Sequence, residues 1–133
     1  MVELALLLPI LVFGLIGAAD LARAFAIQLA VQNGARAGAE SYAIAFAPTP
    51  GRAAIVASNE IARTPGIDPL LADIDTPTWP VHADGSQCNT TPTVADPCFY
   101  TVTIQYHFHT IIPWPFIPNT ADFNRSTTVR TFY

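Results

Sequence analysis

The sequence predicts an α+β chain in which a long N-terminal helix, half of it apolar, packs at its C-terminal half against a short helix and a small antiparallel β-sheet. Three observations carry this: an almost charge-free first third, a middle punctuated by prolines, and a run from Phe99 to Phe108 that alternates β-branched and aromatic residues. A chain of 133 residues holds one compact domain with an appendage and excludes a large multidomain enzyme. Hydrophobic residues make up 51% and charged residues 12%, against about 25% charged in an ordinary soluble domain. The deficit sits in Met1 to Ala47, where Glu3, Asp20, Arg23, Arg36 and Glu40 are the only charged groups. A soluble globular reading fails for that third.

The segment from Leu4 to Ala19, LALLLPILVFGLIGAA, carries no charge, and apolar character continues past Asp20 and Arg23 to Ala30. Counted from Leu4 to Ala30 it spans about 27 residues, or roughly 40 Å of helix, enough to cross a hydrocarbon core. A cleaved secretory signal peptide wants a basic region before the apolar run and a break after it, and the pattern shows neither. Good helix formers instead run on to Pro48 and Pro50, so one helix is expected from about Val2 to Ala47, with Pro9 as a kink. Its first part is hydrophobic all round and must be covered by lipid or by other protein. Its second part is amphipathic. Leu21, Phe25, Leu29 and Gln32 repeat at helical spacing, while Ala22, Ala26, Ala30, Gly34, Ala37 and Gly38 let another backbone come close. The chain thus divides into an apolar membrane or filament-core helix, residues 1–30, and an outer head, residues 31–133.

The few charges on this helix are informative. Asp20 and Arg23 stand three apart and Arg36 and Glu40 four apart, spacings that suit local ion pairs. For Asp20, set in an apolar stretch, a partner on a neighbouring subunit is the alternative, because an ionisable group there is costly unless paired. Glu3 heads the apolar run, where it lies at the headgroup level, favours the positive helix N-terminus, or seeks a positive charge on another chain.

Beyond Pro50, the spacing of Ala54, Ile55, Ser58, Ile61 and Ala62 predicts a short helix from about Gly51 to Arg63, stopped by Thr64-Pro65-Gly66. The Asp-, Pro- and Thr-rich text that follows supports at most an edge strand around Asp73 to His82, broken by Pro77 and Pro80. Tyr100, Val102, Ile104, Tyr106 and Phe108 share one face of the best strand, which is expected to cover the second half of the long helix. Ile111 to Pro118 reads as an apolar turn whose Trp114, Phe116 and Ile117 suit a subunit contact, and Asp122 to Phe132 as a returning strand.

Function classes narrow quickly. A net charge of −4, with six arginines and no lysine, gives no basic stripe, so no nucleic-acid partner is expected. Cys88 and Cys98 lie in a Pro/Thr/Asn-rich stretch without CxxC spacing, which favours a disulfide closing a short loop in an oxidising compartment. His107 and His109 point to one side of a strand, and with His82 they are the nearest approach to a zinc set; polar rings on an exposed face are the commoner outcome. Asp68, Asp73, Asp75 and Asp84 lack EF-hand spacing. No nucleophile elbow, P-loop, HExxH or paired catalytic carboxylates appear, so neither catalysis, cofactor nor metal is expected. Asn89-Thr90-Thr91 and Asn124-Arg125-Ser126 fit the N-glycosylation pattern, a weak signal at this length.

The stretch VELALLLPILVFGLIGAADLARAF followed by QNGARAGA resembles the N-terminus of TadE-like proteins, the pilin-like proteins of the tight-adherence (Tad) branch of type IV pili. The elements that carry the likeness are Glu3, Pro9, the small-residue segment Gly14 to Ala19 with Gly17, Asp20, Arg23, Phe25 and the motif Asn33 to Ala39. The resemblance implies a pilin-type helix and a prepilin cut by a prepilin peptidase. The chain is then held in the inner membrane and passed by the pilus secretion machinery into a helical filament of its own copies outside the cell. A membrane-anchored minor pilin or assembly factor is the alternative. In such filaments an early glutamate neutralises the N-terminal amine of a neighbour, a role that falls here to Glu3. The family pattern has a basic leader and a glutamate at the fifth mature position, whereas Glu3 follows Met1-Val2 directly.

Overall fold

A computed structural model describes residues 2–45, 47–89, 91–114 and 118–131, and side chains from Leu6 onward. Helix α1 (Val2–Ala43) contains Pro9 within its length. It ends four residues before the expected Ala47. Ile44 makes the last bond of helical spacing, to Glu40 (3.1 Å), and the Ala45 amide reaches back only three residues, to Tyr42 (3.3 Å). Pro48, which biases its predecessor away from helical backbone, forbids continuation.

Helix α2 (Pro50–Ala62) starts on a proline in its first turn, where the missing amide is no loss, and is capped by Thr49, whose hydroxyl accepts from the Arg52 amide. The expected bounds were one residue late at each end. The buried face also differs, being Ala53, Ala57 and Ile61, while Ile55 is exposed. The reason is the facing helix: Gly34 and Gly38 of α1 lie so close that only small residues fit at 53 and 57.

The sheet has the order β1-β2-β3, all antiparallel. Strand β1 (Ala72–Asp75) follows a 3-10 turn at Pro69–Leu71 capped by Asp68. It is far shorter than the expected Asp73 to His82. Pro77 and Pro80 lack amides for a ladder, and the chain touches the sheet again only at Val81, bridged to Phe99 and to Gln87. Strand β2 (Phe99–His109) is central, and β3 (Thr120–Arg130) pairs with it along its whole length, from Phe99 opposite Arg130 to His109 opposite Thr120. That register moves the third strand two residues earlier than Asp122 to Phe132; Phe132 itself lies outside the described residues.

Both helices cover one face of the sheet. Ile27, Val31, Ala35, Ala39 and Tyr42 of α1 meet Ala53, Ala57 and Ile61 of α2 and the expected face of β2, Tyr100, Val102, Ile104, Tyr106 and Phe108. The Tyr42 and Tyr100 rings stack in parallel with centroids 3.5 Å apart, and the Tyr100 hydroxyl donates to the Pro77 carbonyl at 2.9 Å. Burial pushes the Tyr100 phenol up to about 12. An unfolded tyrosine ionises near 10, so above that pH the unfolded chain loses a proton that the folded one keeps. With the disulfide intact, the share of the head's stability that depends on Tyr100 is therefore expected to be constant below pH 10 and to fall between pH 10 and 12, and the buried Tyr42 phenol, also raised, adds to the fall. Urea titrations across that range check it, and Tyr100→Phe should lessen the fall.

Candidate assembly surface

The lower part of α1 stands clear of the head. Leu6, Leu7, Leu8, Ile10, Leu11, Val12, Phe13 and Leu15 are all exposed, and only 11% of the most apolar window of the helix is buried within the chain. Burying one such side chain contributes about 1.5–3 kcal/mol, so this surface does not stay in water. Farther along α1, Leu21, Phe25 and Leu29 continue the apolar surface at i, i+4 spacing with 59%, 59% and 60% exposure. The next positions outward are polar: Gln32, Asn33, Arg36 and Glu40 are exposed, with an Arg36–Glu40 ion pair at 2.6 Å. Chain-encoded apolarity on the exposed face therefore stops at Leu29.

Where stem meets head, Asp20 organises a small polar node. It is 5% exposed. Its Oδ1 accepts from the Ile111 amide (3.1 Å) and from Arg23 (3.2 Å), and its Oδ2 from the Trp114 indole Nε1 (3.3 Å). An isolated carboxylate in an apolar stripe is costly, and three donors from one turn and one loop meet that cost locally. Within the single chain, Asp20 thus has its partners on α1 and in the loop after β2. Arg23 also stands over the Phe108 ring, 5.6 Å from its centroid. The loop is braced in turn by Asn119, whose side-chain oxygen accepts from the Trp114 amide at 2.5 Å. Trp114 is half-buried and lies against Gly17 of the same chain; Phe116 and Ile117 lie outside the described residues. Beside the node opens an apolar groove of about 400 Å³, lined by Gly17, Leu21, Ala24, Phe108, Trp114 and Pro118 among others.

The other residues singled out in the sequence fall into place as follows. Glu3 belongs to the first turn of α1, its side chain outside the described residues, and Pro9 lies inside the same helix. Gly14 faces open space, with nothing within 4 Å of a built Cβ, whereas Gly17 meets Trp114 at 3.4 Å. Cys88 and Cys98 are joined by a disulfide, their Cα atoms 6.1 Å apart. Asn89 and Asn124 are exposed, the latter in the middle of β3. The trio His82, His107 and His109 is not assembled. His107 and His109 lie toward the far end of β2 from Phe99, the residue bridged to Val81, and His107 Nδ1 bonds Asp122 at 2.6 Å. Of the aspartates, Asp68 and Asp84 are taken up by local turns, and Asp84, accepting from the hydroxyl and amide of Ser86, is held below the usual carboxylate range.

Residues 1–40 match the family model of the TadE-like proteins. The N-terminal segment of this chain is TadE-like. The match covers the apolar stem, the Asp20–Arg23 turn and the glycine-rich stretch that receives α2. An apolar helix of this length fits a membrane-anchored or cell-surface place. No curated protein and no solved structure is detectably similar to the chain.

Proposed function

We propose that this TadE-like chain is a structural subunit of an extracellular pilus filament and polymerises through its apolar N-terminal helix. The observation that carries the reading is the exposed apolar surface of α1, continuous from Leu6 to Leu15 and prolonged by Leu21, Phe25 and Leu29, on a helix whose other end is folded into a head. Residues 1–30 then form the filament core and residues 31–133 its outer wall, with Trp114 reaching down the stem as far as Gly17. Before assembly the same surface sits in the inner membrane, where the prepilin peptidase and the pilus secretion machinery meet it. Gly14, open on all sides in the single chain, supplies a close-approach point for a neighbouring helix, and Pro9 and Gly17 flank it.

Glu3 is assigned the pairing role with the N-terminal amine of another copy. Two unlike charges on different chains fix register, while either alone in the core is penalised. Replacing Glu3 by alanine is expected to reduce surface filaments at least tenfold, on the order of the 1.4 kcal/mol that separates tenfold populations, while membrane insertion stays intact. Electron microscopy of sheared surface material, with peptide mass mapping of the same fraction, checks this. It also separates the two places in the pilus: this chain dominating regular filaments is the structural subunit, and this chain remaining in the membrane beside another filament protein is the minor pilin or assembly factor.

A further inference from the structure

We infer that the head binds a thiophilic divalent cation, Zn²⁺ by its chemistry, when Cys88 and Cys98 are thiols, with His82 as third ligand and Asp96 as fourth. The ligand atoms of His82, Cys88 and Cys98 all lie within 4.8 Å of one another, the one such cluster of three found among the described residues. His82 Nδ1 stands 3.7 Å from Cys88 Sγ. A nitrogen and a sulfur on one tetrahedral zinc, at about 2.0 and 2.3 Å from the metal, are roughly 3.6 Å apart, so this pair is already at ligand spacing. Asp96 Oδ1 reaches the same His82 nitrogen at 2.8 Å from an exposed position and has freedom to swing out to the metal. The Cα separation of 6.1 Å leaves room for two thiolates to stand roughly 3.8 Å apart, as two zinc-bound sulfurs do.

Backbone hydrogen bonds as well as the sulfur–sulfur bond hold the cluster. Val81 exchanges backbone bonds with Phe99 in both directions (2.9 and 2.8 Å), which sets His82 beside the start of β2. The His82 amide donates to the Ser86 carbonyl (2.8 Å) and the Cys88 amide to the Pro80 carbonyl (3.0 Å), closing a turn in which Gly85 takes a positive φ of 85°. The Cys98 carbonyl accepts from the Thr131 amide at 2.8 Å. These backbone bonds use no sulfur, and on the proposal they keep the three ligands near one another when the bond is open. A concave opening of about 390 Å³ lined by His82, Asp84, Ser86 and Asp96 gives the ion a way in.

The balance is simple: two thiols release two protons, and two thiolates and a neutral imidazole take the cation. A newly made chain carries both thiols before the bond closes, so no reductant is required. Disulfide and metal exclude each other because they use the same two sulfurs.

The test uses the full chain in detergent micelles, reduced with a water-soluble phosphine and titrated with Co²⁺ as the spectroscopic probe. One equivalent is expected to give thiolate-to-cobalt charge transfer with tetrahedral d–d bands, displaced by one equivalent of Zn²⁺, and the oxidised chain should give neither. His82→Ala should weaken Co²⁺ binding at least roughly 100-fold, the upper end of what loss of an outer-sphere partner does. His82→Cys, which restores a third soft ligand, should recover it with an unchanged far-ultraviolet dichroism spectrum. The proposal is overturned if the reduced chain shows no tetrahedral bands, if His82→Ala binds as the parent does, or if natively folded His82→Cys fails to bind.

Discussion

Gly34→Val is expected to prevent α2 from docking on α1 and to leave the head without its tight core. A Cβ at Gly34 stands 2.7 Å from Ile61 Cγ1 and 3.1 Å from the Ala57 carbonyl oxygen, and one at Gly38 meets the Ala53 carbonyl and Ala57 Cβ at 3.0 Å. Ile61 is fully buried and stiff at χ1, so its Cγ1 has no room to turn away, and a helix carbonyl retreats only if all of α2 retreats. Alanine at either position should destabilise the head by about 1–3 kcal/mol, as overpacking of a close-packed core commonly does. Valine adds two methyl groups directed into the same carbonyl row, and the expected loss exceeds that range. Urea titration of the full chain in detergent, followed by near-ultraviolet dichroism from the stacked Tyr42 and Tyr100, reads it directly. Gly14→Ala supplies the contrast. Its Cβ meets nothing, and alanine favours a helix over glycine by about 0.5–1 kcal/mol. Head stability should hold, so any loss of filaments in that variant reports on packing between chains.

The parts of this fold that were legible in the sequence are those fixed by local chemistry. A charge-free first third encodes a helix that needs lipid or protein around it, and the alternation from Phe99 to Phe108 encodes both the central strand and its buried face. Trp114 and the faces of α2 were not legible for a different reason. A tryptophan in a proline-rich apolar turn reads as a contact without naming what it touches, and the closed chain sets it against Gly17, far away in sequence. The inward face of α2 is chosen by the glycines of the facing helix, so Ile55, the more hydrophobic choice, is left outside and Ala53 and Ala57 are taken in. β1 lost its second half to Pro77 and Pro80. The sequence already shows those prolines; what it does not show is that Val81 returns to the sheet beyond them and brings His82 to the two cysteines. That juxtaposition joins the turn that holds His82 and Cys88 to Cys98, just before β2, with no motif spacing to announce it.

Replacing Asp20 by alanine is expected to release the loop from Thr110 to Asn119 from the stem. The carboxylate is the single acceptor shared by the Ile111 amide, the Trp114 indole and Arg23, and those partners lie 91, 94 and 3 residues away in sequence. Alanine leaves the Ile111 amide and the Trp114 indole without their acceptor, while Arg23, 39% exposed at its side chain, turns to water, and the simplest relief is for the loop to lift and hydrate the two donors. The Thr110 and Trp114 bonds to Asn119 lie within the loop and survive this, so the segment should move as a unit about the end of β2. Cleavage of the loop by a protease of broad specificity is expected to accelerate on the order of tenfold or more, because its rate follows the population of the open form. In a Trp79→Phe background, Trp114 emission should shift to the red. Asp20→Asn separates charge from hydrogen bonding: its amide oxygen still accepts from the loop, but its NH₂ faces a donor and it holds Arg23 without charge, so an intermediate rate is expected. Since Leu21 and Ala24 line the groove that Trp114 roofs, opening the loop also uncovers apolar surface immediately above the stem. A chain in that state presents two apolar surfaces where the intact chain presents one. Asp20 thus ties the end of β2 to the stem at the point where the exposed apolar surface of α1 meets the head.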